Sequence, residues 1–348
     1  MINAIGIPLL YPNDVLLERN DVLLKAAYLY QVPAYIYAIT DLDEYIKNGK
    51  IRALYWNGGA YRECYTDLPR FTEIYCSFSS LRQRYPKELE WLMNNTTLTD
   101  TRGLSKYDLQ RGLLFSDLTQ YAIPTFLIHS YEELLSSAAM FPISFLKPLG
   151  GRKAKGAMKL EKKNGTFYYS TPEGSGVLTH EFFLQYYSSA GFDENALLLL
   201  EPCLNILDDE GHAVDFRCQV SLNGEGKWQN VLTYARIGSS GVASNISHGG
   251  STNFAESVLE MMIPGHGAEK LAEINRVALQ VAEFVQKESP NPVSWLGIDI
   301  CVDRPSNQVY VIEANSKPGM KIVSPWPLSL VRAQYFKYLL SLEDQQSM

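Results

Sequence analysis

QVYVIEANSKPGM, residues 308–320, is the most informative stretch of the sequence. Apolar residues alternate along its first half, which predicts a β-strand that ends at the turn-forming run Ser-Lys-Pro-Gly. Alternate side chains of an extended chain share a face; the expected sets are Val309, Val311, Glu313 and Asn315 on one face and Tyr310, Ile312 and Ala314 on the other. Glu313 and Asn315 are then neighbouring oxygen donors, which either bind a hard cation or form a solvated strand end.

The preceding strand, WLGIDICVD at residues 295–303, brings a second carboxylate close to this pair. If the two strands form a hairpin centred near Ser306, Asp299 lies directly opposite Glu313. Opposed side chains in an antiparallel pair have Cβ atoms about 4.5–5.5 Å apart, and like charges at that distance are destabilising. Two facing carboxylates beside a carboxamide favour a Mg²⁺ site, because Mg²⁺ binds carboxylate and phosphate oxygens. The alternative is a surface hairpin whose polar face is hydrated.

A basic turn that contains glycines, in FLKPLGGRKAKGAMKL at residues 145–160, is a candidate phosphate-binding loop. Lys147 ends a predicted strand, and the glycines Gly150, Gly151 and Gly156 flank a run that includes Lys155. Glycines let backbone N–H groups approach an anion closely, and lysines supply positive charge. The segment lacks the G-x-x-x-x-G-K-[ST] pattern of a Walker loop. An exposed hairpin without a ligand is the alternative.

A buried strand ends at Glu201-Pro202 within ALLLLEPCLNILDDEGH, residues 196–212. Pro202 has no N–H, so this strand leaves backbone groups that a sheet does not pair. Such an edge can bind adenine through main-chain donors and acceptors, and Asp208 or Asp209 can hold a ribose hydroxyl. The alternative interpretation of the two aspartates is an acidic turn.

Two arginines on neighbouring strands can counter phosphate charge. VDFRCQV, residues 214–220, places Asp215 and Arg217 on one strand face, and YARIG supplies Arg236. The alternative is an ordinary ion pair, such as Asp215 with Arg217. The segment 241–254 adds Asn245 and also His248, for which a structural or exposed role is favoured over catalysis.

Composition limits the classes of function. The chain has 348 residues, 46% hydrophobic and 20% charged, with a formal net charge of -7. The negative charge argues against a nucleic-acid ligand and permits a local basic pocket for phosphates. No apolar run approaches the roughly 20 residues that span a bilayer, and the start lacks the basic region of a signal peptide. Five scattered cysteines without a C-x-x-C pattern predict reduced thiols in a cytoplasm.

The order of predicted elements indicates an α+β protein. Residues 1–98 alternate strand-like and helical runs, which predicts a small α/β N-terminal domain. NNTTLTDTRGLSKYD, residues 94–108, is polar and is predicted to be a linker, followed by a helix that begins at Ser105 with Asp108 as an early acid. From there on, antiparallel hairpins carry the polar motifs.

In this order the motifs resemble those of the ATP-grasp superfamily, and most closely those of its endospore-coat-associated, YheC/YheD-like family. The resemblance is specific from about residue 100 to residue 320 and weak before residue 95. Its motifs here are Lys106, Lys147-Pro148 with the glycine-rich loop, Glu201-x-x-Leu204, Asp215-Phe-Arg217, Arg236, Asn245, Gly-Ile-Asp299 and Glu313-x-Asn315-Ser-Lys-Pro-Gly319. The resemblance implies an ATP-grasp fold, with residues 99–200 as the central subdomain and residues 201–348 as the C-terminal subdomain, two α+β subdomains that clasp ATP.

The resemblance also implies a role for each matching residue. The phosphates of ATP would be bound by Lys106, Lys147 and the loop with Gly150, Gly151, Lys155 and Gly156. Adenine and ribose would be bound by Glu201, Leu204 and Asp208. The transferred phosphoryl group would be stabilised by Arg217 and Arg236, and Asn245 would orient the triphosphate or the acylphosphate intermediate. One or two Mg²⁺ ions, for which Mn²⁺ can substitute, would be bound by Asp299, Glu313 and Asn315. The loop GGRKAKG departs from the family pattern, since it is more basic and less rich in glycine.

The activity implied is that of a cytoplasmic carboxylate ligase. ATP would phosphorylate a small-molecule carboxylate of an amino-acid-like or peptide substrate. An amine or a thiol, including that of an acyl carrier protein, would then attack the acylphosphate to give an amide or a thioester, with release of ADP and phosphate. Neither nucleic acid nor membrane is an expected partner, and a homodimer is an allowed assembly. The alternatives are a non-catalytic or regulatory ATP-binding protein and a metal-independent carbohydrate- or peptide-binding module. Four charged residues could contact the substrate or be bystanders: Arg62, Glu63, Lys317 and Lys321.

Overall fold

In the computed structural model, the described part of the chain forms three sheets that are accompanied by helices. The described residues are 1–10, 15–74, 78–100, 103–149, 156–189, 198–239, 249–316, 318 and 324–346. Across these ranges, the helices include none that combines the length and the apolar character of a membrane span.

The first sheet is formed by the N-terminal hundred residues. Its strands are β1 (Ile2–Leu9), β2 (Ala34–Ala38), β3 (Ile51–Trp56), β4 (Tyr61–Thr66), β5 (Pro69–Glu73) and β6 (Thr97–Asp100), in the order β4-β3-β2-β1-β5-β6. β1, β2, β5 and β6 are parallel, as expected for strands joined by helical crossovers. The helices are α1 (Val15–Leu29), α2 (Leu42–Asn48), α3 (Phe78–Arg84) and α4 (Pro86–Asn95).

The second sheet is antiparallel. Its strands are β7 (Phe126–Ile128), β8 (Ile143–Pro148), β9 (Met158–Lys163), β10 (Thr166–Thr171), β11 (Gly174–Val177) and β12 (Leu198–Pro202), in the order β11-β10-β9-β8-β12-β7. The accompanying helices are α5 (Lys106–Leu114), α6 (Tyr131–Ala138) and α7 (His180–Ser189). Asn164 and Gly165 adopt φ of 50° and 82° between β9 and β10, which is the two-residue hairpin turn that this dipeptide favours.

The third sheet holds most of the polar motifs. Its strands are β13 (Val214–Leu222), β14 (Trp228–Ile237), β15 (Ser251–Phe254), β16 (Trp295–Asp303) and β17 (Gln308–Ser316), in the order β15-β14-β13-β16-β17. Its helices are α8 (Ala255–Met262), α9 (Gly267–Glu288) and α10 (Trp326–Gln346). α9 covers one face and packs its buried side chains against the core residues of the strands, whereas α10 packs on the opposite face and against the first sheet.

The predicted hairpin register in the third sheet is confirmed, and it includes one irregularity. Asp299 pairs with Glu313, and Ile300 pairs with Val311, so β17 contains one extra residue, Ile312. This is the two-against-one arrangement of a β-bulge, which reverses the alternation of side chains along the strand.

The prediction that one face of β17 carries both valines and both polar residues was therefore wrong. The observed sets are Val309, Val311 and Ala314 on the core side and Tyr310, Glu313 and Asn315 on the other. Gln110 of α5 stabilises the bulge, since its Nε2 donates to Val311 O at 2.6 Å and to Ile312 O at 3.3 Å. The bulge separates a valine pair that packs in the core from a polar pair that faces Asp299.

The predicted linker before α5 is partly a strand. Thr97–Asp100 form β6, the edge strand of the first sheet, because Thr97 and Thr99 are β-branched and fit a strand. Helix α5 begins as predicted, with Ser105 Oγ accepting from Asp108 N at 3.2 Å. The predicted domain limits at residues 98 and 200 fall inside β6 and β12, so we propose limits after Asp100 and after Pro202.

Candidate functional site

A ladder of charged side chains crosses the polar face of the third sheet. Arg217 on β13 lies beside Asp299 on β16, which lies beside Glu313 on β17. The guanidinium of Arg217 contacts Asp299 through Nε and through Nη2, the latter at 2.8 Å from Oδ2. Asp299 is 1% exposed and Arg217 is 7% exposed, so the pair is shielded from water and its interaction is strong.

Arg236 on β14 completes the ladder. Its Nε and Nη2 donate to the two carboxylate oxygens of Asp215 at 2.5 and 2.6 Å, and Nη2 lies 2.8 Å from Asp299 Oδ2. Both arginines form ion pairs, as the alternative predicted, but with partners on neighbouring strands: Arg217 with Asp299 and Arg236 with Asp215. Two carboxylates, those of Asp215 and Asp299, thus bind the two guanidinium groups.

Asn315 lies between the two acidic residues. Its Nδ2 donates to Glu313 Oε1 at 2.8 Å and to Asp299 Oδ2 at 3.2 Å. Burial raises the pKa of Glu313, and so does the neighbouring charge of Asp299. Burial would raise the pKa of Asp299 as well, but Arg217 and Arg236 outweigh it and hold that pKa below its ordinary value. The predicted trio is therefore together, and its two carboxylates repel each other.

A second charged cluster joins α5 to the second sheet. Lys147 on β8 contacts Glu201 on β12, and Lys106 Nζ lies 3.4 Å from Glu201 Oε2. Thr125 Oγ1 donates to the other oxygen at 3.5 Å. Burial and the charge of Lys106 together lower the pKa of Lys147 to about 8, against the effect of Glu201. Two ammonium groups that share one buried carboxylate form a basic site for a phosphate chain.

Comparison with known proteins identifies the family of the chain. The family described as YheC/D-like ATP-grasp matches residues 95–342. The chain belongs to the YheC/D-like ATP-grasp family. The endospore coat-associated protein YheD of Bacillus subtilis (strain 168) is 22% identical over 213 residues, which are 58% of this chain and 46% of YheD. The chain thus spans about half the length of this curated relative.

Solved structures share the fold of this ATP-grasp protein at low identity. D-alanyl-alanine synthetase A from Vibrio cholerae O1 biovar eltor str. N16961 is 14% identical with a TM-score of 0.54, and the match covers 98% of this chain and 97% of that one. The ATP-grasp ligase PsnB, complexed with minimal precursor, Mg and ADP, is 11% identical with a TM-score of 0.51, over 96% and 99% of the chains. The predicted α+β ATP-grasp fold is confirmed.

The polar trio could hold a magnesium ion in this ATP-grasp protein. In the part of the chain that the structure describes, no group of three His, Cys, Asp or Glu side chains is arranged to hold a metal. The candidate set instead combines Asp299, Glu313 and the carboxamide of Asn315, all of them oxygen donors of the kind that Mg²⁺ takes. A cation would also relieve the repulsion that raises the pKa of Glu313. The residues therefore fit the ion.

Glu201→Gln should make nucleotide binding more sensitive to pH. A lysine is charged below its pKa, and Glu201 supports the charge of Lys147, whose pKa is about 8. Without Glu201 the pKa of Lys147 falls further. At pH 8.5 we therefore expect the variant to bind the non-hydrolysable analogue AMPPNP, with Mg²⁺, about tenfold more weakly than wild type, and at pH 6.5 we expect a smaller difference. Isothermal titration calorimetry measures both. Glu161→Gln on β9 is the control, and equal binding by the two variants would exclude this site from phosphate binding.

Gly297 lets two elements of the site approach the sheet. A Cβ at this position would lie 2.6 Å from Pro318 Cβ and 3.0 Å from Arg217 Cδ. We expect Gly297→Ala to cost about 1–3 kcal/mol of unfolding free energy, because the added methyl group displaces Pro318 or Arg217. Urea denaturation measures it. Gly174→Ala in β11 is the control, since its Cβ would meet no described atom within 4 Å; equal midpoints for both variants would show that Gly297 is not tightly packed.

The remaining predicted residues have mixed outcomes. Asp208 Oδ1 accepts from His212 N at 2.7 Å and from Glu210 N at 3.0 Å, so this carboxylate closes a turn and its ribose role stays a prediction. Leu204 follows β12, and Gly156 precedes β9 with φ of 74°. Outside the described residues lie Gly150, Gly151, Lys155, Asn245, His248, Lys317 and Lys321.

The two N-terminal candidates for substrate contact lie at a distant edge of the first sheet. Arg62 and Glu63 are exposed on β4, which is the edge strand opposite β6, and Glu63 pairs with Arg52 at 2.6 Å. The role of one further residue was missed by sequence reasoning. Asp215 was placed on the same strand face as Arg217 but was given no role in the site, although its carboxylate binds the guanidinium of Arg236.

Proposed function

We propose that this ATP-grasp protein is an ATP-dependent ligase that activates the carboxylate of an amino acid or peptide and joins it to an amine. The observation that carries the proposal is the position of Lys106 between the two clusters. Its ammonium group lies 3.4 Å from Glu201 Oε2. Its charge also acts on Glu313, where it partly offsets the effects of burial and Asp299 on the pKa. A phosphate chain that extended from Lys147 to Arg217 would pass Lys106.

The chemistry requires two balanced steps. A carboxylate oxygen of the substrate attacks the γ-phosphorus of ATP, the bond to the bridging oxygen breaks, and ADP leaves an acylphosphate. An amine then attacks the acyl carbon and loses a proton, and inorganic phosphate departs as the amide forms. No step needs a protein nucleophile, so alignment and charge neutralisation would supply the catalysis.

The side chains of both clusters suit these steps. Arg217 and Arg236 would neutralise the transferred phosphoryl group, and the carboxylates of Asp215 and Asp299 hold the two guanidinium planes in fixed positions before the nucleotide binds. Lys106 and Lys147 would bind the more distant phosphates. Mg²⁺, or Mn²⁺ in its place, held by the polar trio, would neutralise charge on the phosphate oxygens.

The proposed substrate class follows from the solved relatives, since D-alanyl-alanine synthetase A is named for joining amino acids and PsnB is complexed with a precursor. A thiol acceptor on an acyl carrier protein is the other chemistry that an acylphosphate allows. The second candidate function is ATP binding without ligation, which the similarity to a coat-associated protein favours.

A screen of acceptors tests the proposal. The purified chain is incubated with Mg-ATP and a panel of amino acids, dipeptides and carrier-protein thiols, while ADP and phosphate release are measured and products are identified by mass spectrometry. We expect ADP formation that requires both a carboxylate and an amine. Calorimetry of AMPPNP binding separates the alternatives, because tight binding without turnover on any acceptor would establish the non-catalytic function.

A further inference from the structure

The polar face of the third sheet continues one step beyond the charged ladder. Asp215, Arg217 and Gln219 alternate along β13 with core residues, so their side chains share a face at intervals of about 7 Å. Gln219 pairs with Gly297, which pairs with Asn315. This second row adjoins the row that contains Arg217, Asp299 and Glu313.

The carboxamide of Gln219 differs from that of the other buried glutamine near the site. Gln219 is 2% exposed, and its Nε2 has no hydrogen-bond partner in the part of the chain described. Gln110 is 0% exposed and fully bonded, because Nε2 donates to Val311 O at 2.6 Å and Oε1 accepts from Ile123 N at 2.8 Å. A buried donor without an acceptor destabilises the protein by the free energy of removing it from water. Among the described residues, none supplies an acceptor for Gln219 Nε2.

The two ends of the polar face approach different parts of the protein. Beyond Asp215 the sheet leads to Asp303, whose Oδ1 accepts from Asn205 N at 2.9 Å, and to Arg304, whose Nη2 lies 2.8 Å from Asp209 Oδ1. Both contacts are to the segment predicted to bind adenine and ribose. Beyond Gln219 it leads to Ser294, whose N–H donates to Asp100 of the first sheet at 2.9 Å. In-line phosphoryl transfer needs the attacking group on the side opposite the departing ADP, which is the Gln219 side.

Resting on the proposed function, we propose that Gln219 is a specificity-determining residue that donates a hydrogen bond to a carbonyl oxygen of the substrate. With the reacting carboxylate at Arg217, a second acceptor is needed about 7 Å along the face. A peptide has a carbonyl oxygen that can accept the hydrogen bond from Gln219 Nε2. The ammonium group of a free amino acid is itself a donor and could not accept this bond. Arg217 and Pro318 lie over Gly297, the residue that pairs with Gln219, so the substrate would approach Gln219 beside these two residues. The substrate class is therefore peptide-like.

The stability of two glutamine variants tests the first half of this inference without any substrate. Gln219→Met keeps the size and removes an unbonded amide, so we expect the melting temperature of the ligand-free protein to rise by about 2 °C. Gln110→Met removes a bonded amide of similar burial and should lower it by several degrees. Binding of Mg-AMPPNP should stay within about twofold of wild type for Gln219→Met. A loss of stability like that of Gln110→Met would overturn the proposal.

Binding of dipeptides tests the second half separately from ligase turnover. In the presence of Mg-AMPPNP, a panel of dipeptides and the matching free amino acids is examined by thermal shift and calorimetry. We expect wild type to bind at least one dipeptide more tightly than its free amino acids, and Gln219→Met to lose about tenfold of that affinity. Equal affinities for wild type and variant, or no response of wild type to any dipeptide, would overturn it. Dipeptide binding that depends on Gln219 without ADP formation would retain this inference and reject the ligase.

Discussion

Glu313→Gln should reduce Mg²⁺-dependent ADP formation by about 100-fold or more while the protein stays folded. The substitution removes one of two carboxylates that the ion would share, and a neutral carboxamide binds Mg²⁺ weakly. It also removes the repulsion between Glu313 and Asp299, and the new Oε1 can still accept from Asn315 Nδ2. The melting temperature without ligand should therefore be unchanged or higher. Coupled ADP assays across a Mg²⁺ titration measure the activity, and calorimetry measures the stability.

The control for this variant is Glu283→Gln, on the exposed side of α9. It makes the same change in charge away from the site, so its turnover should match wild type. Turnover of Glu313→Gln within about twofold of wild type would remove Glu313 from the metal site, and a lower melting temperature would show that its charge supports the fold instead.

Arg332→Met should cost about 3–5 kcal/mol of unfolding free energy. Arg332 on α10 and Glu73 at the end of β5 are both 0% exposed, and Nη2 donates to Glu73 Oε2 at 2.7 Å. Nη1 also donates to Ser294 Oγ at 3.2 Å, and the guanidinium lies 5.3 Å from the Trp295 ring. Removing Arg332 leaves the Glu73 carboxyl group buried without its partner, between the first and third sheets. Urea denaturation measures the loss.

Two further variants test whether the loss of the buried ion pair causes this destabilisation. Arg304→Met breaks the more exposed pair of Arg304 with Asp209, and exposed pairs contribute about 0–1 kcal/mol to the free energy of unfolding. The double variant Arg332→Met with Glu73→Gln should recover part of the loss, because it no longer buries an unpaired charge. If Arg332→Met were no more destabilising than Arg304→Met, the buried pair would not be what joins the N-terminal sheet to α10.

Much of the site could be predicted because its geometry is set by short-range rules. A turn near Ser306 aligns the two strands that it connects from Asp303 and Gln308 to Ile300 and Val311, and the predicted pairing of Asp299 with Glu313 follows from this register once the bulge at Ile312 is added. The alternation along β13 likewise places Asp215 and Arg217 on one face. In both cases the interacting residues are neighbours in the chain or across a single turn.

The bulge at Ile312 could not be predicted in this way. Its carbonyl oxygens are bonded by Gln110, about two hundred residues earlier in the chain. The sequence pattern VYVIEAN fits a regular strand equally well, so only the contact with α5 shows which side chains change face. The ion pairs of Glu201 could not be predicted from the sequence either, because its two lysine partners come from α5 and β8.

The amino-acid order by itself determined most of the helices and strands, the shared face of Asp215 and Arg217 on β13, and the polar motifs that resemble those of an ATP-grasp protein. Tertiary structure decided the partners: Arg217 with Asp299, Arg236 with both Asp215 and Asp299, and Arg332 with Glu73. The physical reason is the separation of the interacting residues along the chain. Backbone periodicity is set by near neighbours in the sequence. An ion pair depends on the order of strands within a sheet and on how helices pack against it, and both are set by contacts between residues far apart in the chain.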